Sequence, residues 1–175
     1  LHCQPYSPTG INLFEMTKRL NIEHKVTFSY GAIMPNGFSE EALSIIYNLG
    51  DIHVSATSSE GFGLGHLESM ACGLPQIATN CTSLTEFISD ANNSNVSERG
   101  DINARGYLTL VESEVMMPDG SFKSIVDQEH FAAMMKKIYL QNEDRNRFSK
   151  NAIKFAQNYT WDKICQQWDD LLKTI

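Results

Sequence analysis

Between Asp51 and Thr79 the sequence changes periodicity twice, and this constrains the fold more than any other feature. Residues 52–56 are a short apolar run that reads as a strand. Glycines at 61 and 63 follow, then residues 64–72 at helical spacing, closed by Gly73 and Pro75. Residues 76–79 read as a second strand. Two strands joined through one helix run parallel, by a right-handed crossover. The same alternation continues upstream. Residues 1–4 read as the end of a strand, and residues 11–20 carry Ile11, Phe14, Thr17 and Leu20 at helical spacing. Residues 26–30 are a β-branched and aromatic strand, and Ser39 caps a helix over 40–49 that Gly50 ends. Repeated units of this kind predict an α/β fold, a Rossmann-like, mostly parallel sheet with helices on both faces.

Past Ile88 the pattern changes. Residues 89–106 are rich in Asn, Ser and Gly and read as a long surface loop. Residues 107–112 and 115–123 read as strands, the second interrupted by the turn Pro118-Asp119-Gly120. Three helices finish the chain, over 128–141 after Asp127, over 143–158, and over 161–174 capped by Thr160. Trp161, Ile164, Trp168 and Leu171 form a helical stripe on the last of them, which reads as a packing surface. At 175 residues and 42% hydrophobic, the chain has enough apolar mass for one core. No apolar run approaches the roughly 18–20 residues that span a bilayer, and the start has no signal-peptide pattern. The chain opens at Leu1, without Met and as if within a strand, so it reads as a fragment.

Charge narrows the function. The chain holds 14 Lys and Arg against 21 Asp and Glu, a net charge of −7, which argues against a nucleic-acid surface. Positions 26–98 contain no Lys or Arg, so an anion bound by that stretch must be held by backbone dipoles or by residues outside this chain. The four cysteines, Cys3, Cys72, Cys81 and Cys165, lack CxxC or CxxH spacing, so they do not read as a zinc site. They read instead as small core hydrophobes in a reducing compartment.

The chemistry lies in the segment from Ser58 to Pro75. A strand ends near Ala56, and a loop with Gly61 and Gly63 leads into a helix. Glycines admit positive φ and close approach of a ligand, and the unpaired amides near 63–66 form a positive site for phosphate. That site lies at the carboxyl end of a parallel strand, where open α/β sheets bind ligands. On a helical projection Glu68 borders the buried stripe of Leu67 and Ala71. It is then either a boundary carboxylate reaching water or an acceptor for sugar hydroxyls. Glu60 is equally open, since acids near helix starts are ordinary stabilisers. His66 reads as solvent-facing and His53 as structural.

Glu60 and Glu68 are spaced E-x7-E, and the string EGFGLGHLESMACGLPQIAT resembles the donor-site signature of retaining glycosyltransferase family four, of GT-B fold. Weaker similarity covers the rest of the chain. The resemblance implies that 1–175 is the donor-binding half of a GT-B glycosyltransferase, a single nucleotide-sugar-binding domain whose N-terminal acceptor domain is absent. It implies that Glu60 contacts the donor sugar and is catalytic. Amides of Gly61, Phe62, Gly63, Leu64 and Gly65 would hold sugar and diphosphate, Glu68 would bind the ribose, and Tyr30, Ala32 and Ile33 would border the base. The implied reaction moves a sugar from a GDP-mannose- or UDP-glucose-type donor to a glycan, lipid or protein acceptor, with retention. No cofactor and no essential metal are implied, and the sequence has no Asp-x-Asp. The Arg and Lys that clamp the diphosphate in the family would fall before Leu1, so this chain alone should be inactive. Residues 89–127 depart from the family as a loop and hairpin insertion, ahead of the C-terminal helices of 128–175. A cytoplasmic location is expected, with peripheral membrane attachment open. Rival readings are a non-catalytic nucleotide-sugar-binding module, or an epimerase or phosphorylase of the same fold.

Overall fold

Three parallel strands carry the molecule, in the order β1 (His53–Ser55), β2 (Gln76–Thr79) and β3 (Gly106–Thr109). The computed structural model describes residues 5–6, 10–29, 38–89 and 102–174. The chain divides into two units, Leu1–Leu43 and Ser44–Ile175.

The second unit holds the sheet. Central strand β2 is buried along its whole length, and alternation splits its side chains between two faces. Ala78 and Leu108, paired in register, face a core of Met70, Cys81, Leu84, Phe87, Ile88, Ala152 and Ala156. Their neighbours Ile77 and Tyr107 face the opposite core with Ala104, Ile138 and Phe148. The first core takes its side chains from α3 (Leu64–Ala71), α4 (Leu84–Ile88) and α6 (Asn142–Ala156), the second from α5 (Gln128–Leu140) and α6. Helices therefore cover both faces, as the sequence predicts. Gly106 sets how closely β3 approaches β2: an added Cβ would lie 1.9 Å from the Gln76 carbonyl oxygen.

Local signals set the boundaries. Asp127 caps α5 by accepting from the His130 amide at 2.9 Å. Gly73, at φ +82°, ends α3 in the left-handed conformation that favours glycine. The hairpin β4 (Val111–Met116) and β5 (Phe122–Val126) turns at Gly120, also at φ +82°, where the Asp119 carboxylate accepts from the Ser121 amide at 2.9 Å. Residues 107–112, expected as one strand, divide at Leu110. Its amide donates to His130 Nδ1 at 3.2 Å and its carbonyl accepts from the Asp127 amide at 2.9 Å, which carries the chain out of the sheet. Residues 106–109 within the expected insertion are thus the third strand of the parallel sheet. α4 and its burial are not anticipated by the sequence reading. Residues 90–101, most of the expected surface loop, lie outside the described residues.

α7 (Trp161–Leu172) follows Thr160, which makes no side-chain cap bond. Trp161 and Trp168 are 83% and 60% exposed, so the expected packing stripe is not covered within the described residues. Cys81 is buried, but Cys165 is exposed and therefore no core hydrophobe. Cys3 lies outside the described residues.

In the first unit Asn12 caps α1 (Leu13–Arg19), accepting from the Phe14 and Glu15 amides at 3.1 and 3.3 Å. A single 3₁₀ turn, Glu23–Lys25, follows, and the Phe14 and Phe28 rings meet edge to face at 4.8 Å. Residues 26–29, expected as a strand, form none. A strand persists only where a neighbour completes its ladder, and the described residues of this unit include no strand at all. Residues 1–4 and Tyr30, Ala32 and Ile33 lie outside the described residues. α2 (Glu40–Asn48) starts after Ser39, whose hydroxyl accepts from the Ala42 amide at 3.3 Å.

Candidate functional site

Two loops leave the carboxyl ends of β1 and β2 and are tied to each other. The Glu60 amide donates to Thr82 Oγ1 at 3.0 Å, and Ser83 Oγ donates to the Glu60 carbonyl at 3.3 Å. Thr82 sits at φ +45°, a genuine outlier for a β-branched residue. Backbone strain of that kind costs about 1–3 kcal/mol and is kept where the surroundings over-determine it, here by the hydroxyl that holds Glu60. The Ser124 amide of β5 donates to the Ser58 carbonyl at 2.9 Å, so the hairpin braces the same loop. The Glu60 carboxylate folds back on its own loop, accepting from the Gly61 amide at 3.0 Å.

The two glycines of the loop differ. Gly63 is buried at φ +94° and starts α3; a side chain there would be strained and would meet Leu84 at 3.4 Å. Gly61 has no positive φ, and an added Cβ would find nothing within 4 Å. The fold itself does not demand glycine at 61. Phe62 anchors the turn, its ring edge to face with Phe87 at 4.9 Å and with Tyr159 at 6.1 Å. The first backbone bond of α3 runs from the Leu67 amide to the Gly63 carbonyl at 3.0 Å, and no side chain caps the helix. The amides of Leu64, Gly65 and His66 therefore stand at its start without a capping side chain, at the positive end of the helix dipole.

Glu68 is exposed on α3, and Tyr47 Oη of α2 donates to its Oε2 at 2.9 Å. Sequence reasoning did not single out Tyr47, because one Tyr on an amphipathic helix carries no signal of what it faces. Nor did it find the polar chain beneath the site. His66, expected to face solvent, is 4% exposed: its Nδ1 lies 2.9 Å from Gln76 Oε1. Gln76 Nε2 donates to the Leu74 carbonyl at 2.7 Å and to Ser69 Oγ at 3.0 Å. A carbonyl only accepts, which fixes the amide orientation and makes His66 Nδ1 the donor. The His53 and His66 rings meet edge to face at 4.6 Å, and Tyr47 lies 6.3 Å from His53.

These groups stay neutral in the fold. Burial pushes His53 down from 6.5 to about 4, and the neighbouring His66 adds to the shift. Burial also lowers His66, against the pull of its Gln76 hydrogen bond and the Glu60 charge. Burial raises the Tyr47 phenol, and the Glu68 hydrogen bond and charge raise it further, so Tyr47 remains a donor. Among the described residues no three His, Cys, Asp or Glu side chains converge as a metal-ligand set, and no helix is long and apolar enough to cross a membrane. The arrangement is a glycine turn, uncapped helix amides and two carboxylates on one continuous segment, suited to a ligand that carries both phosphate and hydroxyl groups.

Comparison with known proteins shows the family and the fold. Residues 12–105 match the family described as glycosyl transferases group 1. The alpha-monoglucosyldiacylglycerol synthase of Streptococcus pneumoniae is 31% identical over 149 residues, 82% of this chain and 32% of that protein. The chain thus spans about a third of that relative's length. Sucrose-phosphate synthase from Thermosynechococcus elongatus superimposes with a TM-score of 0.67 at 19% identity, over 96% of this chain and 36% of the other. HepE of Anabaena, solved with UDP and glucose, gives 0.65 at 21% identity, over 93% and 36%. The parallel sheet with helices on both faces is the fold these glycosyltransferase structures share.

Proposed function

The chain belongs to the glycosyl transferases group 1 family, and from that premise we propose that it is the donor half of a retaining hexosyltransferase. It would bind a nucleotide-diphosphate sugar of UDP-glucose or GDP-mannose type, and the sugar would pass to a glycan, lipid or protein acceptor. The observation that carries this reading is the uncapped start of α3 at Gly63, flanked by Glu60 before it and Glu68 after it. The UDP and glucose held by the Anabaena relative support the same ligand class.

The roles follow from position. Amides of Gly61 to Gly65 donate to the diphosphate, whose charge grows as the sugar leaves, and preorganised donors favour that charge. Glu60 faces the sugar from the loop before the helix; its carboxylate favours the oxocarbenium-like sugar of the transition state. It must first release the Gly61 amide, which then becomes a further donor to the ligand. Glu68, two turns of loop and helix away, takes the ribose hydroxyls. We assign no metal to the reaction, since the helix start, with cations supplied from outside this chain, neutralises the leaving group. The transferase as a whole would need an acceptor-binding part in addition to this chain, and cytoplasmic action on a cytoplasmic nucleotide sugar fits this chemistry.

The test uses the full-length protein with Glu60→Gln and Glu68→Ala. Glu60→Gln is expected to lower kcat by roughly 10²–10³ while leaving nucleoside diphosphate affinity nearly unchanged, because that ligand has no sugar. Glu68→Ala is expected to weaken nucleoside diphosphate and nucleotide sugar alike, by roughly 10–150-fold. Normal turnover with Glu60→Gln, or unchanged nucleotide affinity with Glu68→Ala, would refute the assignment.

A further inference from the structure

We infer that Tyr47 is a positioning residue for the nucleotide: its hydroxyl holds one oxygen of Glu68 so that the other faces the ribose hydroxyls. This rests on the ribose role proposed for Glu68. The Tyr47 phenol crosses from α2 to the exposed side of α3 and donates to Glu68 Oε2 at 2.9 Å. Among the described residues Oε1 takes no hydrogen bond, so one carboxylate oxygen is tethered and its partner is open. The same hydroxyl lies 3.5 Å from where a Cβ on Gly65 would stand, so it borders the helix start as well as the carboxylate. The Tyr47 hydroxyl therefore holds the Glu68 carboxylate while lying beside Gly65 at the helix start.

The support behind Tyr47 is stiff. Its ring packs toward His53, His53 packs on His66, and His66 is held by Gln76, which is itself bonded to Ser69 and Leu74. Burial holds the His53 and His66 rings behind it toward their neutral forms, so neither competes as a cation for the Glu68 carboxylate. An exposed Glu on a helix otherwise samples several rotamers and loses that freedom when a ligand binds. Fixing it beforehand reduces the ordering cost of binding. A carboxylate oxygen has two lone pairs, so Oε2 can keep the Tyr47 bond and still accept from one ribose hydroxyl.

Tyr47→Phe keeps the ring and removes only the hydroxyl. The experiment measures, by calorimetry on the full-length protein, binding of UDP, GDP and ADP and of the 2′,3′-dideoxy form of whichever binds. Tyr47→Phe is expected to weaken the ribose ligand about 3–12-fold, in the range of one ordinary net hydrogen bond, because Glu68 itself stays in place. The dideoxy ligand should lose less than about twofold, having no hydroxyl for Glu68 to take. In a Glu68→Ala background the same substitution should cost nothing further, a non-additivity that marks coupling. Equal loss on both ligands, additive loss with Glu68→Ala, or no loss at all would overturn the role of Tyr47. If Glu68→Ala itself failed to discriminate ribose from dideoxyribose, or if no nucleoside diphosphate bound, the ribose reading would fall and this inference with it. Discrimination by Glu68→Ala without an effect of Tyr47→Phe would sink the inference alone.

Discussion

Mild acid should weaken this fold through its buried histidines. His53 falls from 6.5 to about 4 on folding, and His66 is lowered as well, both chiefly by burial. A histidine with a depressed native value binds its proton more readily when unfolded, so its contribution is complete above the unfolded value near 6.5 and lost as pH falls toward 4. For His53 alone, the shift amounts to about 2 kcal/mol lost between pH 7.5 and pH 5, with His66 adding in the same direction. In a domain of this length that corresponds to a drop of about 4–8 °C in Tm. The carboxylate of Asp144, held low by hydrogen bonds from Tyr107 and Arg147, stays charged through this window and does not produce the slope. Urea unfolding at a series of pH values measures the effect, and His53→Phe separates its source. Phe keeps an aromatic ring against His66 but cannot titrate, so more than half of the slope between pH 7.5 and 5 should vanish. Stability that is flat over that range, or a slope unchanged in His53→Phe, would refute the reasoning.

Three other outcomes follow from the same structure. Gly106→Ala places a Cβ 1.9 Å from the Gln76 carbonyl oxygen, and because that neighbour is backbone the strands must part; a loss of about 3–5 kcal/mol in urea unfolding is expected. Gly63→Ala should cost about 1–2 kcal/mol, since it forces a side chain into the left-handed region, whereas Gly61→Ala should leave stability unchanged or raise it by about 0.4–1 kcal/mol. Nucleotide-sugar binding by the full-length protein should nevertheless weaken in both, and normal binding by Gly61→Ala would show that no ligand approaches there. Activity of the full-length enzyme should persist in excess EDTA; loss with chelator and recovery with Mn²⁺ would overturn the metal-free reading.

The strand–glycine–helix–strand unit was legible in the sequence because its signals are local. Gly63, Gly73, Pro75 and the apolar run at 76–79 act within a few residues of themselves, so β2 matches its expected bounds and α3 runs to within a residue of them. The helix start proposed to take phosphate was legible too, since a helix start after a parallel strand is defined by chain order. Tertiary structure decided whatever depends on partners distant in sequence. Residues 26–29 have strand-like composition but no strand beside them, and residues 107–109 read as a strand of an inserted hairpin, with 106 in the loop before it, until β2 paired with them. His66 reads as a surface residue on its own helix, and only Gln76 across the unit makes it a buried donor. Thr82 holds the Glu60 amide from 22 positions away, and Tyr47 holds the Glu68 carboxylate from 21. Sequence periodicity reports which side of an element is apolar; it does not report which polar atom on another element completes a hydrogen bond, and such bonds hold the Glu60 backbone and the Glu68 carboxylate.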